Sequence, residues 1–221
     1  MRTVKIYEDE PIPKAIPIDT INLFWLRDEK IPFLLPNGLV QLHCDSIEEL
    51  PKILPDTIEV ISCNSVIKLP DKLPSSLVEL VCFAVKEITI ELPNSLKKLW
   101  CNSATILPSR LPRDLTLLVC HGITLLPDVL PEKLDTLISD SILQLPENLP
   151  SLLKRIYCDA VFKLPKKLPE NLELLSCKSA IEFPDYLPDS IEVLNYNEHI
   201  DLPNIPDKLY LINEVDYSIF I

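Results

Sequence analysis

One ten-residue phrase returns along almost the whole chain at a fixed step of nineteen residues, and a fixed step restricts a chain to very few folds. Residues 73–82 read LPSSLVELVC, residues 92–101 read LPNSLKKLWC and residues 111–120 read LPRDLTLLVC. Stepping outward places copies at Ile16, Leu35, Leu54, Leu73, Leu92, Leu111, Leu130, Leu149, Leu168 and Leu187, with a last one at Ile205 after a step of eighteen. Self-similarity at this short period is the signature of a solenoid, in which one coil cannot bury its own apolar face and must stack on its neighbours. Eleven copies leave no room for a second domain, so the organisation expected is one repeat domain over 1–221. Residues 1–15 would form an N-terminal cap, 16–213 the repeats and 214–221 a C-terminal cap.

Each column of the repeat states a requirement. Position two is proline throughout, position eight is Leu or Ile throughout, and position five is Leu or Ile except for Thr20. Position seventeen is proline except for Thr89; these two columns with Pro11 and Pro13 hold all 22 prolines. That density forbids long helices, because each proline removes a backbone donor and clashes with the preceding turn. Positions eight and ten alternate with variable residues at seven and nine, the period of a half-buried strand. One strand per nineteen residues, always returning in the same direction, predicts a parallel sheet with extended, proline-punctuated segments opposite it. Trp25 at position ten of the first copy, and Tyr196 and Glu214 of the last two, mark where the ladder should give way to caps.

The phrase resembles two families. LPxxLxxLxC is similar to the Leu-Pro units of leucine-rich repeats in bacterial effector proteins, and LPNSLKKLW at 92–100 is closer still to the FNIP-type repeats of amoebae and giant viruses. The resemblance implies a leucine-rich-repeat-like solenoid that binds a protein partner, and it admits a role as the substrate-recognition part of a ubiquitin-ligase assembly through a separate subunit. The chain departs from both families. The nineteen-residue unit is shorter, cysteine takes the usual inward aliphatic position, and the usual Asn ladder is replaced by Ile47, Val66, Val85, Ala104, Ile123, Ile142, Val161 and Ala180.

Composition narrows the function classes. With 33 acidic against 21 basic side chains the net charge is −12, which argues against nucleic acid or an anionic membrane as partner, since both need clustered Lys and Arg. The two glycines, Gly38 and Gly122, cannot build a phosphate-cradling loop. No apolar run approaches a membrane span, and residues 1–15 have no signal-peptide core. With no Asn-x-Ser/Thr sequon and an odd number of cysteines, the expected setting is the cytoplasm (a host's, were the source a virus) and the expected state a monomer.

The chemistry-bearing residues read mostly as architecture. Cys44, Cys63, Cys82, Cys101, Cys120, Cys158 and Cys177 all occupy position ten. Thiols strung along strands ~4.8 Å apart cannot converge tetrahedrally on zinc at ~2.3 Å, so they are expected to be buried, reduced and without metal. Cys120 and His121 are adjacent in a strand and should diverge; His43, His121 and His199 lie on distant copies. Asp140 and Asp159 at position eleven of neighbouring copies are near the ~5 Å spacing of a retaining glycosidase, yet Asp or Asn before a small residue at a strand end is turn chemistry. No catalytic residue, metal ligand or cofactor is therefore assigned, and a solenoid glycan hydrolase is the minor alternative. The candidate partner-binding stripe is position nine, facing away from the core: Val81, Trp100, Val119, Ile138 and Tyr157; the alternative for the same column is cross-strand stacking that only stiffens the sheet.

Overall fold

The computed structural model describes residues 2–202 and 209–211. The chain forms two compact units, residues 1–115 and 116–221, each a leucine-rich-repeat-like solenoid of parallel strands; no α-helix occurs among the described residues. The final copy's Ile205, Pro206 and Ile212, and the cap expected over 214–221 with Glu214, lie outside the described residues.

In the first unit the strands run in chain order: β1 (Arg2–Tyr7), β2 (Thr20–Leu26), β3 (Gln41–His43), β4 (Val60–Ser62), β5 (Glu79–Val81) and β6 (Lys98–Trp100). Each pairs in parallel with the next at an offset of nineteen, so Gln41, Leu42 and His43 face Val60, Ile61 and Ser62. The second unit repeats the scheme with β7 (Leu117–Val119), β8 (Thr136–Ile138), β9 (Arg155–Tyr157), β10 (Leu174–Cys177), β11 (Val193–Tyr196) and β12 (Tyr210–Leu211).

Two turns per copy fold the chain back. In the first, the carbonyl of the position-two proline accepts the N–H of position five, as Pro36 does from Leu39 at 3.0 Å and Pro188 from Ile191 at 3.1 Å. In the second, the position-ten carbonyl accepts from position thirteen: Cys101 from Ala104 at 3.1 Å, Cys177 from Ala180 at 3.0 Å. Between copies, donors at positions six, ten, twelve and fourteen reach the neighbouring coil, for example Val78 N–H to Glu59 O at 2.7 Å and Ser103 N–H to Phe83 O at 3.0 Å. Proline stands at two and seventeen, away from these ladder positions. A proline-dense chain, poor in backbone donors, thereby keeps its ladder bonds.

The core is the set of columns five, eight, ten and thirteen, with Leu96, Leu99, Cys101 and Ala104 of one copy wholly buried and their counterparts alike in the copies that begin at Leu35 through Leu168. The aliphatic column that replaces the usual Asn ladder, Ile47 through Ala180, is also wholly buried. Main-chain bonds, such as Ala104 N–H to Cys101 O at 3.1 Å, serve the backbone beside it. The Ser139 hydroxyl stands where a thiol stands elsewhere and donates to the Cys120 carbonyl at 2.7 Å.

Residues 1–15 do more than cap. Val4 and Ile6 of β1 pair with Leu23 and Trp25 of β2, so β1 adds a further rung outside the first recognisable copy. Trp25 is buried, its indole N–H donating to the Glu29 carbonyl at 2.7 Å. Arg27, only 6% exposed, grips Glu29 with two hydrogen bonds of 2.6 and 2.8 Å and donates to the Glu10 carbonyl at 3.0 Å. Its guanidinium lies 5.7 Å from the Trp25 ring. This clamp ties the segment after β1 to the first copy.

Candidate functional site

The site proposed from the sequence is the sheet face at position nine, opposite the buried columns. In the first unit β5 and β6 set Val81 directly against Trp100 in register, and both are half-buried. Nearer the N-terminus the same column holds Phe24 and His43, whose rings stack at 4.4 Å and 4°, with the Lys5 ammonium 5.5 Å from the Phe24 centroid. Burial lowers the His43 pKa, opposed by the carboxylate of Asp45. Tyr7 and Leu26, at the neighbouring outward position, are exposed. The first unit thus presents an apolar and aromatic face with polar Ser62 and Asn64 within it.

The second unit differs. Val119, Ile138 and Tyr157 line up in register on β7, β8 and β9, but they are 1%, 2% and 3% exposed. Strand alternation predicts which way a side chain points; coverage on that side depends on the lengths of the flanking side chains, which alternation does not specify. Here the flank is charged: Arg155 reaches Asp135 at 2.8 Å and Glu173 at 3.8 Å, and Lys154 reaches Glu173 at 2.8 Å. Burial raises the Tyr157 pKa, with the Arg155 charge opposing it. The alternation of Asp135, Lys154 and Glu173 at position six, nineteen residues apart, was the signal in the sequence for this network.

The Cys120 thiol lies in the core, pushed up to about 12 by burial, whereas the His121 ring meets Asp140 at 2.8 Å; the two side chains diverge. Asp159 accepts the Ser176 hydroxyl at 2.6 Å and sits 3.1 Å from Lys178. The two carboxylates are therefore held by different partners. Asp45 repeats the arrangement, accepting the Ser62 hydroxyl at 2.6 Å and the Asn64 N–H at 3.2 Å, which identifies position eleven as turn chemistry. Among the described residues no three His, Cys, Asp or Glu side chains gather as a metal ion requires.

No protein-family model matches the chain, and no curated protein matches it. Among solved structures the chain is similar to YopM from Yersinia enterocolitica WA-314, at 24% identity and a TM-score of 0.54 over 90% of this chain and 56% of that one. The chain thus spans about half the length of that protein, and the likeness is one of fold. Looser matches are YopM, a leucine-rich effector protein from Yersinia pestis (20% identity, 83% of this chain, 79% of that one, TM-score 0.34), and the circular leucine-rich-repeat protein CroV588 (18%, 95%, 49%, 0.39). Those two superpose too loosely to inform the geometry.

Proposed function

We propose that this protein is a non-enzymatic interaction scaffold that engages a protein partner through the sheet face of its first unit, in a reducing compartment. The observation that carries the reading is the pairing of half-buried Val81 and Trp100 on adjacent strands. A large aromatic ring that stays partly exposed can bury much area on contact at little rotamer cost. Val119, Ile138 and Tyr157 play a different part in this reading. Buried as they are, they contribute packing of the sheet rather than contact area. Leucine-rich-repeat folds suit such a role, since a stacked sheet offers a long rigid surface.

Affinity capture from the cell that makes the protein, with wild type and Trp100→Ala as paired baits, tests this. Trp100→Ala should melt near wild type and lose at least tenfold in capture of whatever partner the wild type retains, in line with ~2 kcal/mol for an aromatic anchor. The double substitution of Lys166 and Lys167 by Ala, on the other side of the coil, should leave capture intact. Equal capture by Trp100→Ala would contradict the proposal.

A further inference from the structure

We infer that Asn37 is a site of spontaneous covalent modification, converting through a cyclic imide with Gly38 to aspartate and isoaspartate, and that the isoaspartate form unlatches the first turn of the second copy. Asn37 and Gly38 occupy positions three and four of that copy, both exposed. The reaction needs a free backbone N–H after the asparagine, a side-chain amide that is not tied down, and room for the two to meet.

All three conditions hold. The turn is closed by Leu39 N–H donating to Pro36 O at 3.0 Å, which leaves the Gly38 N–H out of the bond. The position-three side chain is engaged elsewhere in the repeat: Asp56 accepts the Ser75 N–H at 3.0 Å and Asn94 the Arg113 N–H at 3.5 Å. Asn37 makes no corresponding bond through its side chain among the described residues; only its main-chain carbonyl is used, accepting the Thr57 hydroxyl at 2.7 Å. Both residues are exposed, and a Cβ placed on Gly38 would meet nothing within 4 Å apart from its chain neighbours, so no other part of the chain hems in the turn on that side. Asn94, at the same position, is followed by Ser95, whose Cβ crowds the approach and whose hydroxyl is occupied.

The step balances with water alone. The Gly38 nitrogen attacks Asn37 Cγ, a new N–Cγ bond forms, the Cγ–Nδ2 bond breaks, and the nitrogen's proton leaves with the amide as ammonia. Water then opens the imide on either side. Opening at one carbonyl leaves an ordinary aspartate at that position, which resembles Asp56 in the next copy and preserves the turn. Opening at the other routes the main chain through the side chain and adds a methylene between Pro36 and Leu39. The lengthened turn can no longer keep both the Leu39–Pro36 bond and the burial of Leu39, which is wholly inside.

The full chain is incubated warm at mildly alkaline pH, then mapped by proteolysis and mass spectrometry, with the enzyme that methylates L-isoaspartate as an independent probe. Asn37 should convert to a mixture of the two acids several-fold faster than Asn94, and Gly38→Ala should slow it several-fold. Alanine fits that site, where no positive φ is required. In the isoaspartate fraction, amide exchange at Leu39 should be faster than in an Asn37→Asp variant. Conversion of Asn37 no faster than Asn94, or unchanged by Gly38→Ala, overturns the modification; equal exchange at Leu39 in the two acid forms overturns the unlatching.

Discussion

The Ser95 hydroxyl lies 2.8 Å from the carbonyl oxygen of Leu77 and equally close to that of Ser75, eighteen and twenty residues earlier. Thr57 does the same to Leu39 and Asn37 at 2.7 Å, and Ser190 reaches Leu172 at 2.7 Å. A hydroxyl at position four in these copies therefore fastens its copy to the turn of the one before it, which gives the Ser of LPNSL at 92–96 its physical role. Ser95→Ala removes the donor and should cost about 1 kcal/mol in chemical denaturation, the usual net worth of such a bond. Ser95→Thr, keeping the hydroxyl as Thr57 does, should be close to neutral.

Leu118→Ala, in the position-eight column, should cost ~2–5 kcal/mol through lost burial and the cavity left behind. The sequence alone predicts a smaller loss for Leu23→Ala, on the ground that an end copy has fewer neighbours. The structure changes that expectation, because Leu23 is wholly buried between Val4 and Leu42. Equal losses at the two positions are now expected, measured by urea unfolding.

Thr20 is the one departure from Leu or Ile at position five, and its hydroxyl is buried without a hydrogen-bond partner. An unsatisfied buried hydroxyl costs ~1–3 kcal/mol. Thr20→Val keeps the shape and deletes that cost, so it should stabilise the protein by about 1 kcal/mol. A destabilised Thr20→Val would show that the hydroxyl does have a partner.

These cases show what the sequence discloses. Columns five, eight, ten and thirteen were legible because inward positions tolerate only a narrow range of volume, and the range shows in any one copy set beside the next. The rung formed by β1 was hidden because residues 1–15 carry no copy of the phrase; only the alternation of Val4 and Ile6 with polar neighbours pointed to it. At position nine the two-residue period left the exposure of Val119, Ile138 and Tyr157 undetermined, and they are buried. Direction follows from the two-residue period. Burial on that side depends on what the neighbouring copies bring there, and side-chain reach across copies, such as that of Arg155 to Asp135 and Glu173, has no period.

The Arg27–Glu29 clamp predicts a response to acid. Hydrogen bonding to the Arg27 guanidinium, with some help from its charge, lowers the Glu29 pKa from 4.5 to about 2. A carboxyl depressed in the folded state contributes stability that is complete above its unfolded pKa and is lost as pH falls toward the folded value. Unfolding followed between pH 4.5 and 2 should show a progressive loss, and Arg27→Met should flatten that part of the profile. A profile unchanged by Arg27→Met would show that the clamp is not part of the acid response.

The seven cysteines report directly on whether position ten points inward along the ladder from Cys44 to Cys177. All are free and buried, and burial pushes the Cys82 thiol up to about 12, with Cys44, Cys63, Cys158 and Cys177 raised as well. A disulfide reagent needs an accessible thiolate. Titration of the native protein should therefore label few or none of the thiols over hours, and addition of denaturant should release all seven at once. Rapid labelling of several cysteines in the folded chain would contradict the inward ladder, and with it the register on which the fold and the proposed contact face both depend.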